Sequence, residues 1–231
     1  MRSDGTAEIT GYNGSSASVV IPEKPGGKTV ARISDPAFYK CKAKTVSIPK
    51  TVKYVGTDSF RDSPNLSTVS FEGGTERIGS DAFYGCKSLK SVKLGSGLKT
   101  IEPYVFYGCS ALTGLVIPDK VTAIGWRAFS SCTSMRSVIL PDSVKTLKED
   151  AFNRCLALKE IIIPYASYTY RGRGGIKPSV TVKNSAGDKL KKDTDYTVSY
   201  SDNTKVGTAV KPDGLRVMAR GDVMRTPKAR R

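Results

Sequence analysis

Histidine is absent from the 231-residue sequence, which removes the side chain that most often acts as a general base near neutral pH and the commonest metal ligand. No stretch approaches the roughly 18 consecutive apolar residues of a membrane span, and the opening segment MRSDGTAEIT lacks the apolar core of a signal peptide. No membrane insertion is expected, and as written the chain carries no address. Catalysis finds little support in what remains. There is no Ser/His/Asp set and no carboxylate pair in an apolar setting, and Arg171-Gly172-Arg173-Gly174-Gly175 lacks the strand-to-helix context of a phosphate-cradling loop. The chain reads as a non-enzyme that needs no cofactor and no metal.

Acidic residues are also scarce, 21 against 37 Lys and Arg, for a formal net charge of +16. Residues 168–231 hold 15 Lys/Arg and 6 Asp/Glu, a surplus of nine; the earlier part holds 22 and 15, a surplus of seven. Such excess favours acidic partners without choosing among them, and most of it reads as solvated surface. No recognition motif of the usual nucleic-acid modules is present, so no specific nucleic-acid partner is expected.

A fixed period dominates the sequence. Phe38, Phe60, Phe83, Phe106, Phe129 and Phe152 follow one another at spacings of 22, 23, 23, 23 and 23 residues. Three residues after each Phe stand Cys41, Ser63, Cys86, Cys109, Cys132 and Cys155, and six after the last five come Leu66, Leu89, Leu112, Met135 and Leu158. Next is an alternating stretch such as Leu115-Val116-Ile117 or Val138-Ile139-Leu140, often closed by proline, as at Pro49, Pro118, Pro141 and Pro164. Period two followed by proline predicts a short strand that ends at a turn. A further apolar pair, such as Val121 with Ile124, closes each unit. A single unit cannot cover its own apolar side, so stacking at about 4.8 Å per coil must bury these ladders. Six coils in residues 30–167 are expected, capped by residues 1–29.

The units typified by ERIGSDAFYGCKSLKSVKLGSGL and KTIEPYVFYGCSALTGLVIPDKV resemble the BspA-like leucine-rich repeats, a 23-residue class of bacterial surface proteins. The resemblance covers about residues 10–167. It implies a repeat solenoid, a leucine-rich-repeat horseshoe or rod with one short strand and one short helical turn per 22–23-residue coil. It also implies an extracellular or cell-surface setting and adhesion to host matrix proteins, other cell-surface proteins or glycans. A monomer is expected. Two departures, Lys44 near the Leu position and Glu72-Gly73-Gly74 in place of the proline turn, predict looser packing in the first coils.

After Pro164 the period stops. Residues 168–210 alternate in short strands such as Tyr196-Thr197-Val198-Ser199-Tyr200 and predict a small, incomplete all-β module resembling an immunoglobulin-like repeat of bacterial surface proteins. The closing strand it requires is missing, which points to a truncated or shifted reading frame, and residues 211–231 are expected to form a disordered basic tail. Arg220-Gly221-Asp222 in that tail spells the tripeptide that integrins recognise and is read as a chance match.

Two sets of residues stand out as candidate ligand contacts. The pair just before each Phe is mostly small or acidic, yet reads Pro103-Tyr104 and Trp126-Arg127 in two adjoining coils. Tyr, Trp and Arg are the residues enriched in binding hot spots, although local packing is the simpler account. On the strand, the middle position reads Ser47, Ser70, Lys93, Val116, Ile139 and Ile162, turning apolar towards the C-terminus and flanked by Lys90, Arg136 and Lys159. An apolar exposed stripe usually covers something; docking of the following β-module is the favoured occupant and a ligand the alternative. The cysteines recur once per coil at a slot that Ser63 also fills, which fits small buried side chains and not the close pairs of a metal site.

Overall fold

The computed structural model describes residues 4–141 and 143–162, with seven short strand segments between 168 and 226 for which the backbone alone is described. Each coil contributes two strands to two parallel columns. One column holds β2 (Ser18–Val20), β4 (Thr45–Ile48), β6 (Thr68–Phe71), β8 (Ser91–Lys93), β10 (Gly114–Val116), β12 (Ser137–Ile139) and β14 (Glu160–Ile162). The other holds β1 (Ala7–Ile9), β3 (Val30–Ile33), β5 (Tyr54–Val55), β7 (Arg77–Ile78), β9 (Thr100–Ile101), β11 (Ala123–Ile124) and β13 (Thr146–Leu147). The result is a parallel β-solenoid of about six turns; the strands of the first column sit where period-two alternation predicts them, whereas those of the second, at the apolar pair that closes each unit, are a second strand per coil where the resemblance implies one.

Register follows the repeat without slippage. Val46 lies beside Val69 and Val69 beside Val92, all three buried, whereas the intervening Ser47, Ser70 and Lys93 face outward. The six phenylalanines of the 22–23-residue period form one internal stack. Successive ring centroids are 4.8, 5.1, 5.4, 5.4 and 5.1 Å apart, with interplanar angles of 18° or less. Tyr12 extends this stack at the N-terminal end, 5.0 Å from Phe38, while β1 and β2 pair in parallel with β3 and β4.

The helical turn implied for each coil does not form. Around each Phe, backbone N–H groups alternate between two kinds of partner. Those of Tyr84 and Cys86 donate within the coil, to the carbonyls of Asp81 and Phe83, three residues back. Those of Asp81, Phe83 and Gly85 donate to the next coil, to Pro103, Val105 and Tyr107. An α-helix needs consecutive N–H groups to bond back along its own chain, and here every second one is taken by the neighbouring coil. Left-handed residues two before and two after the Phe permit this alternation: Asp58, Asp81, Tyr104, Arg127 and Asp150 before it, and Lys40, Asp62, Gly85, Gly108, Ser131 and Arg154 after it, have φ between 51° and 70°.

The first coils are not looser than the rest, since their phenylalanines stack as closely as the later ones and Phe60 and Phe71 are fully buried. Glu72-Gly73-Gly74 is itself an adaptation to close packing. A Cβ on Gly74 would lie 1.5 Å from the Lys50 carbonyl oxygen of the coil below, so the chain can pass there only as glycine.

The immunoglobulin-like module expected over 168–210, the tail over 211–231 and Arg220-Gly221-Asp222 fall mainly outside the described residues. Two of the strand segments described there, Tyr168–Tyr170 and Thr181–Lys183, pair in parallel with β13 and β14 and so lengthen the solenoid's own sheets.

Candidate functional site

The cysteine slot is more specific than a small apolar niche. Cys86, Cys109, Cys132 and Cys155 are buried, and each thiol donates to the carbonyl of the Phe in the preceding coil, at 3.0, 3.2, 3.1 and 3.1 Å. Ser63 reproduces the bond to Phe38 at 3.3 Å with its hydroxyl. Burial pushes the Cys86 thiol up to about 12 and the Cys109 and Cys132 thiols well above the ordinary range. These thiols are therefore poor nucleophiles and poor metal ligands. Among the described residues no group of three or more His, Cys, Asp or Glu is placed to hold a metal ion, and no helix is long and apolar enough to cross a membrane.

The turn segments place aromatic side chains on the outside. Two residues before the Phe of the second to fifth coils, Asp58, Asp81, Tyr104 and Arg127 are left-handed and donate their N–H to the next coil, as Tyr104 does to the Trp126 carbonyl at 3.0 Å. Three coils use Asp at this position, which tolerates that conformation; Tyr104 (φ 58°) and Arg127 (φ 51°) are bulky exceptions. The structure brings Tyr104, Trp126 and Arg127 together. The Tyr104 and Trp126 rings meet edge to face at 5.1 Å, and the Arg127 guanidinium sits 4.7 Å from the centre of the Trp126 ring. Trp126 remains 40% exposed.

Two further tyrosines, Tyr84 and Tyr107, extend this group and are missed by the sequence reading. They follow their Phe directly, so they occupy a different column from Tyr104, yet Tyr107 stacks on Tyr84 at 4.8 Å and meets Tyr104 edge to face at 5.6 Å. The sequence signal that marks them is the column directly after the Phe, which reads Tyr39, Arg61, Tyr84 and Tyr107 in the first four coils. The ridge ends in charges. At one end Arg61 lies 4.2 Å from the Tyr84 ring centre and is held by Asp58 at 2.9 Å and Asp81 at 3.4 Å. At the other, Arg127 bonds Asp150 at 3.2 Å.

These charges perturb one another. The hydrogen bond that Arg61 donates to the Asp58 carboxylate keeps its pKa above the ordinary value despite partial burial. Burial opposes the charge on Arg127, but the hydrogen bond and attraction of Asp150 outweigh it and the pKa rises. Burial and then the nearby Asp58 carboxylate raise Asp81, with Arg61 opposing. Burial, and next Tyr107, raise the Tyr84 phenol. The ridge thus offers partly desolvated rings between two fixed ion pairs.

The remaining candidates lie on the strand side of the coil. Val116 and Ile139 are neighbours in register on β10 and β12. Val116 is 61% exposed, Ile139 is half-buried, and Lys93 and Arg136 are exposed. Ile162 is the register partner of Ile139 on β14, and its side chain lies outside the described residues. The sequence candidates therefore form two separate surfaces, an aromatic ridge on the Phe turns and an apolar stripe on the strands.

A stack of parallel two-stranded coils around a Phe/Leu/Cys ladder defines a leucine-rich-repeat solenoid. Six copies of the BspA-type leucine-rich-repeat region match residues 31–159, and the chain belongs to that family. Among solved structures, it is similar to a leucine-rich repeat protein of T. pallidum, with 30% identity over 70% of this chain and 66% of that one and a TM-score of 0.50. The pneumococcal vaccine antigen PcpA is 23% identical over 63% of this chain and 37% of its own, with a TM-score of 0.55. A leucine-rich repeat protein from Eubacterium ventriosum is 23% identical over 70% and 40%, with a TM-score of 0.51. The chain thus spans less than two thirds of the length of each. No curated protein matches it.

Proposed function

We propose that this protein is a non-catalytic cell-surface binding scaffold, and that its ligands, matrix or cell-surface proteins or glycans, engage the aromatic ridge formed by Tyr84, Tyr104, Tyr107 and Trp126. The observation that carries this reading is the placement of Tyr104 and Arg127 in left-handed backbone, a conformation costing on the order of 1–2 kcal/mol for an ordinary L-residue. Asp serves the same turn in coils 2, 3 and 6. Strain kept where a milder residue would fit is characteristic of functional positions. The side chains so displayed are those that dominate binding hot spots, and the fixed ion pairs Arg61–Asp58 and Arg127–Asp150 supply oriented polar groups at either end. An extracellular setting follows from the same reading, since the family is one of surface proteins.

The test is binding of the whole chain to immobilised matrix proteins and mucin glycans at physiological salt, beside the Tyr104→Ala/Trp126→Ala double variant. Saturable binding that weakens about ten-fold or more in the variant is the expected outcome, that being the loss of roughly 1.4 kcal/mol. Failure of the unaltered chain to bind any of them would replace this reading with that of a structural spacer displaying other domains.

A further inference from the structure

The two strand columns are each interrupted once. β2, β4, β6 and β8 form one sheet and β10, β12 and β14 belong to another, so the hydrogen-bonded ladder stops between β8 and β10 although the repeat does not. At this place the turn after the strand changes, from Leu94-Gly95-Ser96-Gly97 in one coil to Ile117-Pro118-Asp119-Lys120 in the next. A groove of about 730 Å³ opens over the break, walled by Lys93, Ser96, Asp119 and Lys120 and floored by apolar side chains that include Val116 and Ile139. That volume is within the range of ligand-binding clefts, roughly 300–1,000 Å³.

Charge selects the occupant. Lys93 and Lys120 stand exposed on the groove walls and Lys90 and Arg136 stand exposed nearby, with Asp119 the one acidic group lining it among the described residues. The sequence after residue 167 carries 15 Lys/Arg against 6 Asp/Glu, and a second copy of the chain carries +16, so electrostatics oppose both as occupants. A purely polar polyanion would leave Val116 and Ile139 facing charged or hydroxylated groups, which wastes their apolar area and desolvates the ligand without compensation. An extended peptide has alternate side chains on opposite faces. Lying across the strands, the direction in which Lys93, Val116 and Ile139 succeed one another, it sets apolar side chains on Val116 and Ile139 while its acidic side chains reach Lys93 and Lys120. We infer that the groove over the β8–β10 break binds an extended acidic peptide segment of a partner protein, with apolar residues at alternate positions. This is a second site, on a different side of the coil from the aromatic ridge, and it stands or falls separately from it.

The probe is an array of eight-residue peptides with Asp or Glu fixed at odd positions and apolar residues varied at even ones, screened against the whole chain at physiological salt. The strongest peptide is then measured by fluorescence anisotropy against the unaltered chain, Val116→Ser, Lys93→Glu/Lys120→Glu, and Tyr104→Ala/Trp126→Ala. Thermal melts verify folding of each variant, and the substituted groove residues are exposed. Expected are saturable binding, a loss of about ten-fold or more in the first two variants, and no change in the third. The proposal is overturned if no acidic peptide binds above its Lys-substituted counterpart, if the groove variants bind normally, or if polyglutamate or a heparin fragment binds as tightly, since charge alone would then suffice.

Discussion

Replacing Cys109 tests whether the cysteine column holds the coils together by a hydrogen bond or merely fills space. Its side chain is fully buried and its thiol donates to the Phe83 carbonyl at 3.2 Å, an oxygen that also accepts the Cys86 N–H at 3.3 Å. In Cys109→Ala the carbonyl therefore keeps one partner, and no orphaned acceptor adds to the penalty. What is lost is about 0.8 kcal/mol of transfer free energy for a methylene-sized group. A residual cavity of roughly 20–30 Å³ adds about 0.5–0.7 kcal/mol at 24 cal/mol per Å³, and a weak hydrogen bond adds about 0.5 kcal/mol. The sum is near 2 kcal/mol. Cys109→Ser keeps a donor in the geometry that Ser63 already uses towards Phe38, so its cost is about 1 kcal/mol, mainly from burying a more polar group. Cys109→Val removes the donor and pushes a second γ-carbon into the adjacent coil, at about 2–3 kcal/mol for loss and overpacking together. Urea unfolding of the whole chain under reducing conditions, followed by circular dichroism and tyrosine fluorescence together, gives the three values when both probes coincide. Serine as the mildest, then alanine, then valine is the expected order. A serine variant less stable than the alanine variant would refute the hydrogen-bond account, and a valine variant as stable as serine would refute the close fit.

Alkaline pH acts through the same column. Burial raises these thiols, Cys86 to about 12, so the unfolded chain loses its thiol protons first. The stabilisation is complete below the unfolded thiol pKa, near 8.5–9, and disappears as pH rises from there towards 12, at up to about 1.4 kcal/mol per pH unit and thiol. Unfolding midpoints measured from pH 8 to 11 are expected to fall, and a Cys86→Ser variant to fall less steeply; equal slopes would argue against it. Phe106→Ala, which opens the ring stack between neighbours each 5.4 Å away, is expected to lower stability by about 3–5 kcal/mol, and a loss below 1 kcal/mol by urea unfolding would contradict the packed ladder. Gly74→Ala places a methyl where the Lys50 carbonyl stands, so it is expected to destabilise by more than the ~1 kcal/mol that separates the two residues by propensity alone; an unchanged melting temperature would refute that close approach.

Much of this architecture is legible in the sequence because burial and period are local properties of a repeat. The spacing of Phe38 to Phe152 fixes the coil length, and alternation in segments such as Leu115-Val116-Ile117 fixes which side chains enter the core, because a strand must turn successive residues to opposite faces. The recurrence of Cys or Ser three residues after Phe marks a small buried slot. The proximity of Tyr104, Trp126 and Arg127 also follows from register, as corresponding positions in adjoining coils must meet.

Other features were decided by the tertiary structure. Whether the Phe segment coils into a helix depends on where its N–H groups find carbonyls, and half of them find one in the next coil, a partner that no short window of sequence contains. The donor role of the cysteines was hidden for the same reason, since the accepting Phe carbonyl is 26 residues away along the chain. Tyr84 and Tyr107 join the ridge by reaching across columns, which column-by-column comparison does not reveal. The break between β8 and β10, and the groove over it, lie between two coils, so nothing within one unit of the repeat announces them. The sequence by itself determined the repeat, the core and one of the two strand columns, through hydrophobic periodicity along one chain; the stacking of coils determined the second column, the hydrogen-bond partners and the two surfaces, because those depend on contacts between residues 20 or more positions apart.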